Sequence, residues 1–247
     1  VNAHVPAPAL GVYPLAEAAR LAQLDRSTAR RWAQGYAFRY RGEARYSPGV
    51  VLLALPSIGS QVDLTFAELL TLRLVKGFKE AGLSLRTIKR VAEVASQHLG
   101  TLTPFVSRRF RTDGRKVFEE VQHLAPNNDE PSVPRREREL IEVLSGQRQF
   151  ADIVEPSLYA NVEWSEDVAS RWWPLGMARG VVLEPGIACG APRIAHTRLT
   201  TAAIAAAVVA EGGGEDAMAA VAKWYEIALG QVRDAVDFET GWLRRAA

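Results

Sequence analysis

Apolar positions keep a helical period in some stretches of this chain and a strand period in others, and the changes of period mark its elements. From Pro14 to Ala22, the residues Leu15, Ala18, Ala19 and Ala22 recur at three- and four-residue spacing. This predicts a short helix with Pro14 tolerated in its first turn. Leu24-Asp25 breaks the pattern, and Ser27–Gln34 resumes it with Ala29 and Trp32 inward. Asp25 or Ser27 would cap this second helix, and Gly35 would end it. The period then falls to two. Tyr36, Phe38 and Tyr40 alternate, Gly42-Glu43 reads as a turn, and Ala44–Tyr46 returns, giving a small hairpin. With Trp32 nearby, Tyr36, Phe38, Tyr40 and Tyr46 are expected to pack as core, in preference to stacking on single-stranded bases.

A helical period returns over Thr65–Ala81, breaks at Gly82, and resumes over Leu85–Leu99 with Ser84 as cap. A second hairpin is expected to run from Phe105–Phe110 through Asp113-Gly114 to Lys116–Phe118. Ala125–Pro134 has the proline and short polar residues of an exposed connection. The expected organisation is therefore a domain over 13–125, a linker over 126–134, and a second domain over 135–247. After a short helix at Arg135–Leu144, the second domain holds short strands at Phe150–Val154, Tyr159–Trp164, Arg171–Trp173 and Val181–Leu183. Helices follow at Thr201–Glu211, Glu215–Tyr225 and Gln231–Leu243, with Gly212-Gly213-Gly214 as a stop. The fold class expected is mainly α (α+β): a winged helix-turn-helix domain, a small β element and a C-terminal trihelical, helix-turn-helix-like domain.

Charge gives this division a meaning. The 247 residues carry a net charge of only +2. Residues 1–125 hold 18 basic and 10 acidic side chains, a surplus of +8, and residues 126–247 hold 12 and 18, a surplus of −6. A basic half joined to an acidic one points to nucleic acid on one side and a different partner on the other. With 48% apolar residues the chain is expected to fold. A lone Cys189 allows no intramolecular disulfide, and the start Val1–Pro6 has no basic and apolar leader pattern. A cytoplasmic protein with no membrane partner is expected, because the run Ile204–Ala210 is too short to span a bilayer.

The candidate DNA-reading side chains are Arg26, Ser27, Thr28, Arg30 and Arg31 on the second helix, with Arg39, Arg41 and Arg45 on the hairpin. A reading helix needs donors on its outer face, and a basic hairpin beside it suits the flanking backbone. Lys76, Lys79, Arg86, Lys89 and Arg90 would extend the footprint. In the acidic half, Arg193 and Arg198 punctuate the loop Glu184–Leu199, either bracing it through salt bridges or meeting a partner. Trp164, Trp172, Trp173 and Trp224 suit a protein interface. No enzyme is expected: His196 has no positioned partner, Cys189 has no second motif beside it, and the glycines lack the Lys-Ser/Thr pair of a phosphate loop. No cofactor and no metal are expected.

Residues 13–99 resemble the winged-helix domain of the MerR family of regulators. The resemblance rests on Tyr13-Pro14-Leu15-Ala16-Glu17-Ala18-Ala19-Arg20-Leu21-Ala22, on Ser27-Thr28-Ala29-Arg30-Arg31-Trp32, on Arg39-Tyr40 and on Leu83-Ser84-Leu85-Arg86-Thr87-Ile88. That family continues into a long coiled coil and often an effector or metal site, and this chain shows neither. Residues 180–240 resemble a small bacterial domain found in antitoxins, through Gly190-Ala191-Pro192-Arg193-Ile194, His196-Thr197-Arg198-Leu199-Thr200, Ala210-Glu211-Gly212-Gly213 and Trp224-Tyr225. The whole chain is thus similar to a VapB-type antitoxin of a VapBC toxin–antitoxin pair. The resemblance implies an inhibitor of a PIN-like ribonuclease toxin that also binds double-stranded operator DNA to repress its own operon. Half-sites on DNA imply a homodimer or a higher toxin–antitoxin assembly. The toxin-binding candidates are Trp172, Trp173, Arg193, Arg198, Arg244 and Arg245. The alternative is a MerR-like transcriptional regulator without a toxin partner.

Overall fold

The computed structural model describes residues 11–55, 61–110, 159 and 161–244. Helices α1 (Leu15–Leu21) and α2 (Arg26–Gln34) pack through Leu15, Ala18, Ala19 and Leu21 against Ala29, Trp32 and Ala33. Asp25 caps α2, accepting the Thr28 N–H at 2.8 Å. Gly35 ends it at φ +80°, where a Cβ would stand 2.3 Å from the Ser47 carbonyl oxygen. Only glycine turns the chain there. Strands β2 (Tyr36–Tyr40) and β3 (Glu43–Ser47) then form an antiparallel hairpin. Its turn is Arg41-Gly42, one residue earlier than the spacing predicts. Both residues have positive φ, 52° and 85°, as the favoured two-residue turn requires.

One pairing has no signal in the sequence. The three-residue strand Val12–Pro14 (β1) pairs antiparallel with Asp63–Thr65 (β4), and three residues are too few to display alternation. Thr65 then starts helix α3 (Phe66–Glu80) with a capping box. The Glu68 carboxylate is fully buried and accepts the N–H groups of Thr65, at 2.7 Å, and of Ala54. Helix α4 (Leu85–Leu99) is capped by Ser84 as expected and closed by left-handed Gly100. The strand expected over Phe105–Phe110 does not form. Pro104–Val106 is a 3₁₀ turn, and Phe105, Val106 and Phe110 are all buried instead of alternating. Lys116–Phe118 lies outside the described residues, as do the linker over 126–134, Arg135–Leu144 and Phe150–Val154.

In the second half, β5 (Val162–Ser165) pairs with β6 (Val168–Trp172), and β7 (Val181–Val182) pairs with β8 (Arg193–Ile194). Trp172 exchanges backbone hydrogen bonds with Leu183, at 3.0 and 2.9 Å, which joins the two ribbons. Helices α5 (Thr201–Ala210), α6 (Gly214–Trp224) and α7 (Leu229–Asp237) follow, the last running into a π turn over Phe238–Trp242. Thr200 caps α5, accepting the Ala203 N–H at 3.3 Å. The architecture is the mainly α arrangement expected, with a winged helix-turn-helix-like first half and a helical second half. No helix among the described residues is long and apolar enough to cross a membrane.

The two halves share one apolar core. Trp172 has no exposed surface. Its ring lies under the Arg73 guanidinium of α3, 5.1 Å from the ring centroid, and against Trp242 at 6.5 Å. Burial pushes the Arg73 guanidinium down to about 10, against the opposing pull of Glu80, so it remains charged at neutral pH. The Trp242 indole donates to the Leu21 carbonyl at 3.3 Å, and the Tyr159 hydroxyl donates to the Phe105 carbonyl at 2.7 Å. Ser107 and the Arg109 N–H both reach the Asp167 carboxylate. The Tyr13 hydroxyl donates to the Gly190 carbonyl at 2.8 Å. Burial, then the Glu17 carboxylate, pushes the Tyr13 phenol far above its usual range, so it stays a donor.

Gly190 carries this last contact under constraint. Its φ is +85°, and a Cβ would sit 2.2 Å from the Tyr13 hydroxyl oxygen. Gly190→Ala is expected to cost about 1–3 kcal/mol through backbone strain and overpacking. For a chain of this size that lowers the melting midpoint by roughly 2–10 °C. Tyr13→Phe, which loses only the hydrogen bond, should cost about 1 kcal/mol. Thermal melts of the full chain read both, and an unchanged midpoint for Gly190→Ala would show that this contact does not hold the halves together.

Candidate nucleic-acid interface

Helix α2 buries Ala29, Trp32 and Ala33, and this decides which side chains face outward. Arg26, Ser27, Arg30 and Arg31 are exposed, and Thr28 is half-buried. The start of α2 is pre-ordered by its cap. The Asp25 carboxylate accepts from the Ser27 hydroxyl at 2.7 Å as well as from the Thr28 N–H. Arg31 donates to the Thr28 hydroxyl at 3.2 Å. Arg39, Arg41 and Arg45 are exposed along the hairpin. Between residues 25 and 47, six arginines stand against the carboxylates of Asp25 and Glu43. Glu43 meets Arg45 at 3.3 Å in an exposed pair of little energetic weight.

The hairpin aromatics do not pack as core. Tyr36, Phe38, Tyr40 and Tyr46 are 38%, 40%, 47% and 63% exposed. The sequence correctly shows their alternation, but a two-stranded ribbon with no covering layer buries neither face. Tyr36, Phe38 and Tyr40 share one face with Arg45, their cross-strand neighbour. The guanidinium groups of Arg41 and Arg45 lie 5.4 and 5.0 Å from the Tyr40 ring centroid. That cation–π geometry holds two cations at the wing tip.

The base of the wing is fixed from two sides. The Tyr46 hydroxyl donates to the Gln34 carbonyl at the end of α2. Lys89 of α4 donates to Ser47 Oγ at 2.8 Å and to the Pro48 carbonyl. Lys89 therefore anchors the wing instead of extending the footprint. Lys76 and Arg90 of the same basic group pair with Glu80 at 3.5 Å and Glu93 at 3.4 Å.

The partner-facing candidates of the second half separate sharply. Trp172 is fully buried and Trp173 is 9% exposed, so neither ring stands out to anchor a protein partner. Arg193 is 4% exposed, bound to Glu184 and to the carbonyls of Ile194 and Thr197, so it braces its own loop. Arg198 and Arg244 are exposed, and Arg245 lies outside the described residues. Trp224, at the end of α6, is 61% exposed. Arg179 clamps the β region to α7 through Asp234 and Asp237. Among the described residues no group of three or more His, Cys, Asp or Glu is placed to hold a metal ion.

No known family matches the chain in sequence, and no curated protein does. Among solved structures, it is similar to the X-ray crystal structure of Rv2018 from Mycobacterium tuberculosis. The two are 23% identical, the match covers 91% of this chain and 97% of that one, and the TM-score is 0.67. The likeness is one of fold and extends through both halves. A helix-turn-helix of this kind is compatible with DNA binding.

The cap on α2 has a pH signature. Hydrogen bonds from Ser27 and Thr28 hold the Asp25 carboxyl down at about 2, below its usual range. A depressed acid contributes stability that is present above the unfolded value, roughly 4, and is lost as pH falls through the folded one. Asp25→Ala should cost about 1 kcal/mol at neutral pH, and Asp25→Asn much less. The gap between wild type and Asp25→Ala in melting midpoint should close between about pH 4 and pH 2. A gap independent of pH would remove the carboxylate as the cap.

Proposed function

We propose that this chain is a DNA-binding antitoxin of the VapB type. It binds duplex operator DNA through α2 and the wing, as a dimer, and represses its own operon. It neutralises a PIN-like ribonuclease by binding it, with no catalysis of its own. The observation that carries the reading is the outward row of Arg26, Arg30 and Arg31 on α2, continued by Arg39, Arg41 and Arg45 on the wing. A helix on such a scaffold lies in the major groove, its side chains reach base edges, and the hairpin meets the flanking backbone.

The nuclease half of the reading rests on the resemblance of residues 180–240 to the antitoxin domain. It is supported by the exposed Trp224 and by Arg198 and Arg244, the toxin-facing cations that remain at the surface. In this reading Arg193, Trp172 and Trp173 hold the domain together and take no part in contact with the nuclease. A MerR-like regulator without a toxin has the same DNA face. A small nuclease that copurifies with the chain when the adjoining reading frame is co-expressed separates the two.

One observation favours a second nucleic-acid reading. The exposed face of Tyr36, Phe38 and Tyr40 suits stacking on unpaired bases. Fluorescence anisotropy of the full chain on its own promoter fragment decides, with single-stranded competitors in a second arm. For duplex binding through about six phosphates, affinity should fall by about a thousandfold between 50 and 200 mM salt. Arg30→Ala or Arg31→Ala should reduce operator binding more than random-duplex binding, by about 1–3 kcal/mol for a base contact. Arg45→Ala should reduce both alike. A flat salt dependence, or tighter competition by single strands, would overturn operator recognition by this face.

For the nuclease, Trp224→Ala should leave the melting midpoint unchanged, because the ring is exposed. If it anchors the partner it should cost about 2 kcal/mol or more of affinity, roughly thirtyfold. Full inhibition by a folded Trp224→Ala variant would exclude that ring as an anchor.

A further inference from the structure

A cleft of about 500 Å³ lies between the β5–β6 hairpin and the loop that carries β8. Its size falls within the range of small-molecule sites, roughly 300–1,000 Å³. One wall is apolar. Trp173, Val182 and Ala195 form a small cluster of their own, apart from the main core.

The other wall is charged, and its carboxylates are already engaged. Glu163 accepts from Arg171 at 3.1 Å and from the Trp173 indole at 2.9 Å. Glu184 accepts from Arg171 at 3.0 Å and from Arg193. Burial pushes Glu184 up, but hydrogen bonds and charge from Arg171 and Arg193 outweigh it and hold the carboxyl below its usual range. Three arginines of the cleft thus stand against two carboxylates, with Arg198 exposed at the rim and carrying no ion pair among the described residues. Arg193 is 4% exposed, two of its three nitrogens are engaged, and its Nε has no hydrogen-bond partner. Leaving a buried guanidinium N–H unmade is costly, and an anion with planar, paired oxygens is its natural complement.

We infer that this cleft binds a free carboxylate compound with an apolar or aromatic body. The carboxylate meets the Arg193 Nε–H and Arg198, and the body lies on Trp173. Phosphate would satisfy the arginines but leave the Trp173 wall uncovered. The inference is independent of the nuclease reading, because it is read on the chain alone.

The test is a titration of the full-length chain with benzoate, followed by the indole N–H of Trp173 and the Nε–H of Arg193 in nitrogen–proton correlation spectra. Saturable shifts with a dissociation constant of about 1 mM or tighter are expected, and Arg198→Gln should weaken binding about tenfold or more. Benzamide has the same ring without the charge and should cause no saturable shift. Arg198 is exposed, so its variant should melt with the wild type. If it melts early, the contrast between benzoate and benzamide on the wild type decides alone. No saturation by about 10 mM benzoate, equal shifts with benzamide, or wild-type affinity in a folded Arg198→Gln variant each overturns the site. A capped aspartate peptide that binds more tightly than benzoate assigns the cleft to a protein's acidic side chain and overturns the free-carboxylate assignment.

Discussion

The burial of Trp172 between the two halves is the contact on which the rest of the molecule depends. Its backbone joins the two β ribbons through Leu183, and its ring fills the space between Arg73 of α3 and Trp242 after α7. The indole N–H is buried without a partner, so shape and not hydrogen bonding sets its position. Truncating a ring of this size in a core costs about 3–5 kcal/mol, a large share of a typical domain's stability. The polar contacts around it, from Tyr13 to Gly190 and from Trp242 to Leu21, are individually worth about 1 kcal/mol and act by fixing orientation.

With α1 and α3 covered in this way, α2 and the wing are what the first half presents outward. Their exposure is not looseness. Gly35 permits the close passage of β3, Tyr46 ties the hairpin to the last turn of α2, and Lys89 reaches from α4 to its base. A surface held at its base loses less conformational freedom on binding than a free arm, so more of its contact energy appears as affinity. The stacking of Arg41 and Arg45 on Tyr40 has the same consequence at the tip, where long side chains otherwise carry most entropy.

Much of the fold was legible because long helices repeat their signal. α3, α4 and α5–α7 each show enough turns for the apolar face to stand out, and Asp25 and Ser84 mark the starts of α2 and α4 by short-range chemistry that needs no tertiary context. The β1–β4 pair was not legible, since neither strand completes an alternation and the partners are about fifty residues apart. The wing aromatics show a harder limit. Periodicity reports that Tyr36, Phe38 and Tyr40 share a face, but whether that face is covered depends on what else packs there. Arg193 and Arg198 look equivalent in one loop. Only the pairing of β7 with β8 brings Glu184 to Arg193 and leaves Arg198 at the rim. The Trp172–Arg73 contact, across about a hundred residues, has no sequence signal at all.

The charge map reads differently once the pairs are placed. The surplus of −6 in residues 126–247 suggests a half that repels phosphate. Yet Glu163, Glu184, Glu215, Asp234 and Asp237 all meet arginines of the same half. Pairs of this kind cancel beyond a few ångströms, and salt screens what remains within about 10 Å. Each pair takes out a cation along with its carboxylate, so the acidic surplus of this half remains. Five of its described acidic residues work as internal clamps, with Arg179 holding the β region to α7 and Arg233 holding α7 to α6. The first half differs because most of its arginines on α2 and the wing face no carboxylate. The polarity that matters for partners is thus the contrast between unpaired and paired cations, and among the described residues its densest cluster is on α2 and the wing.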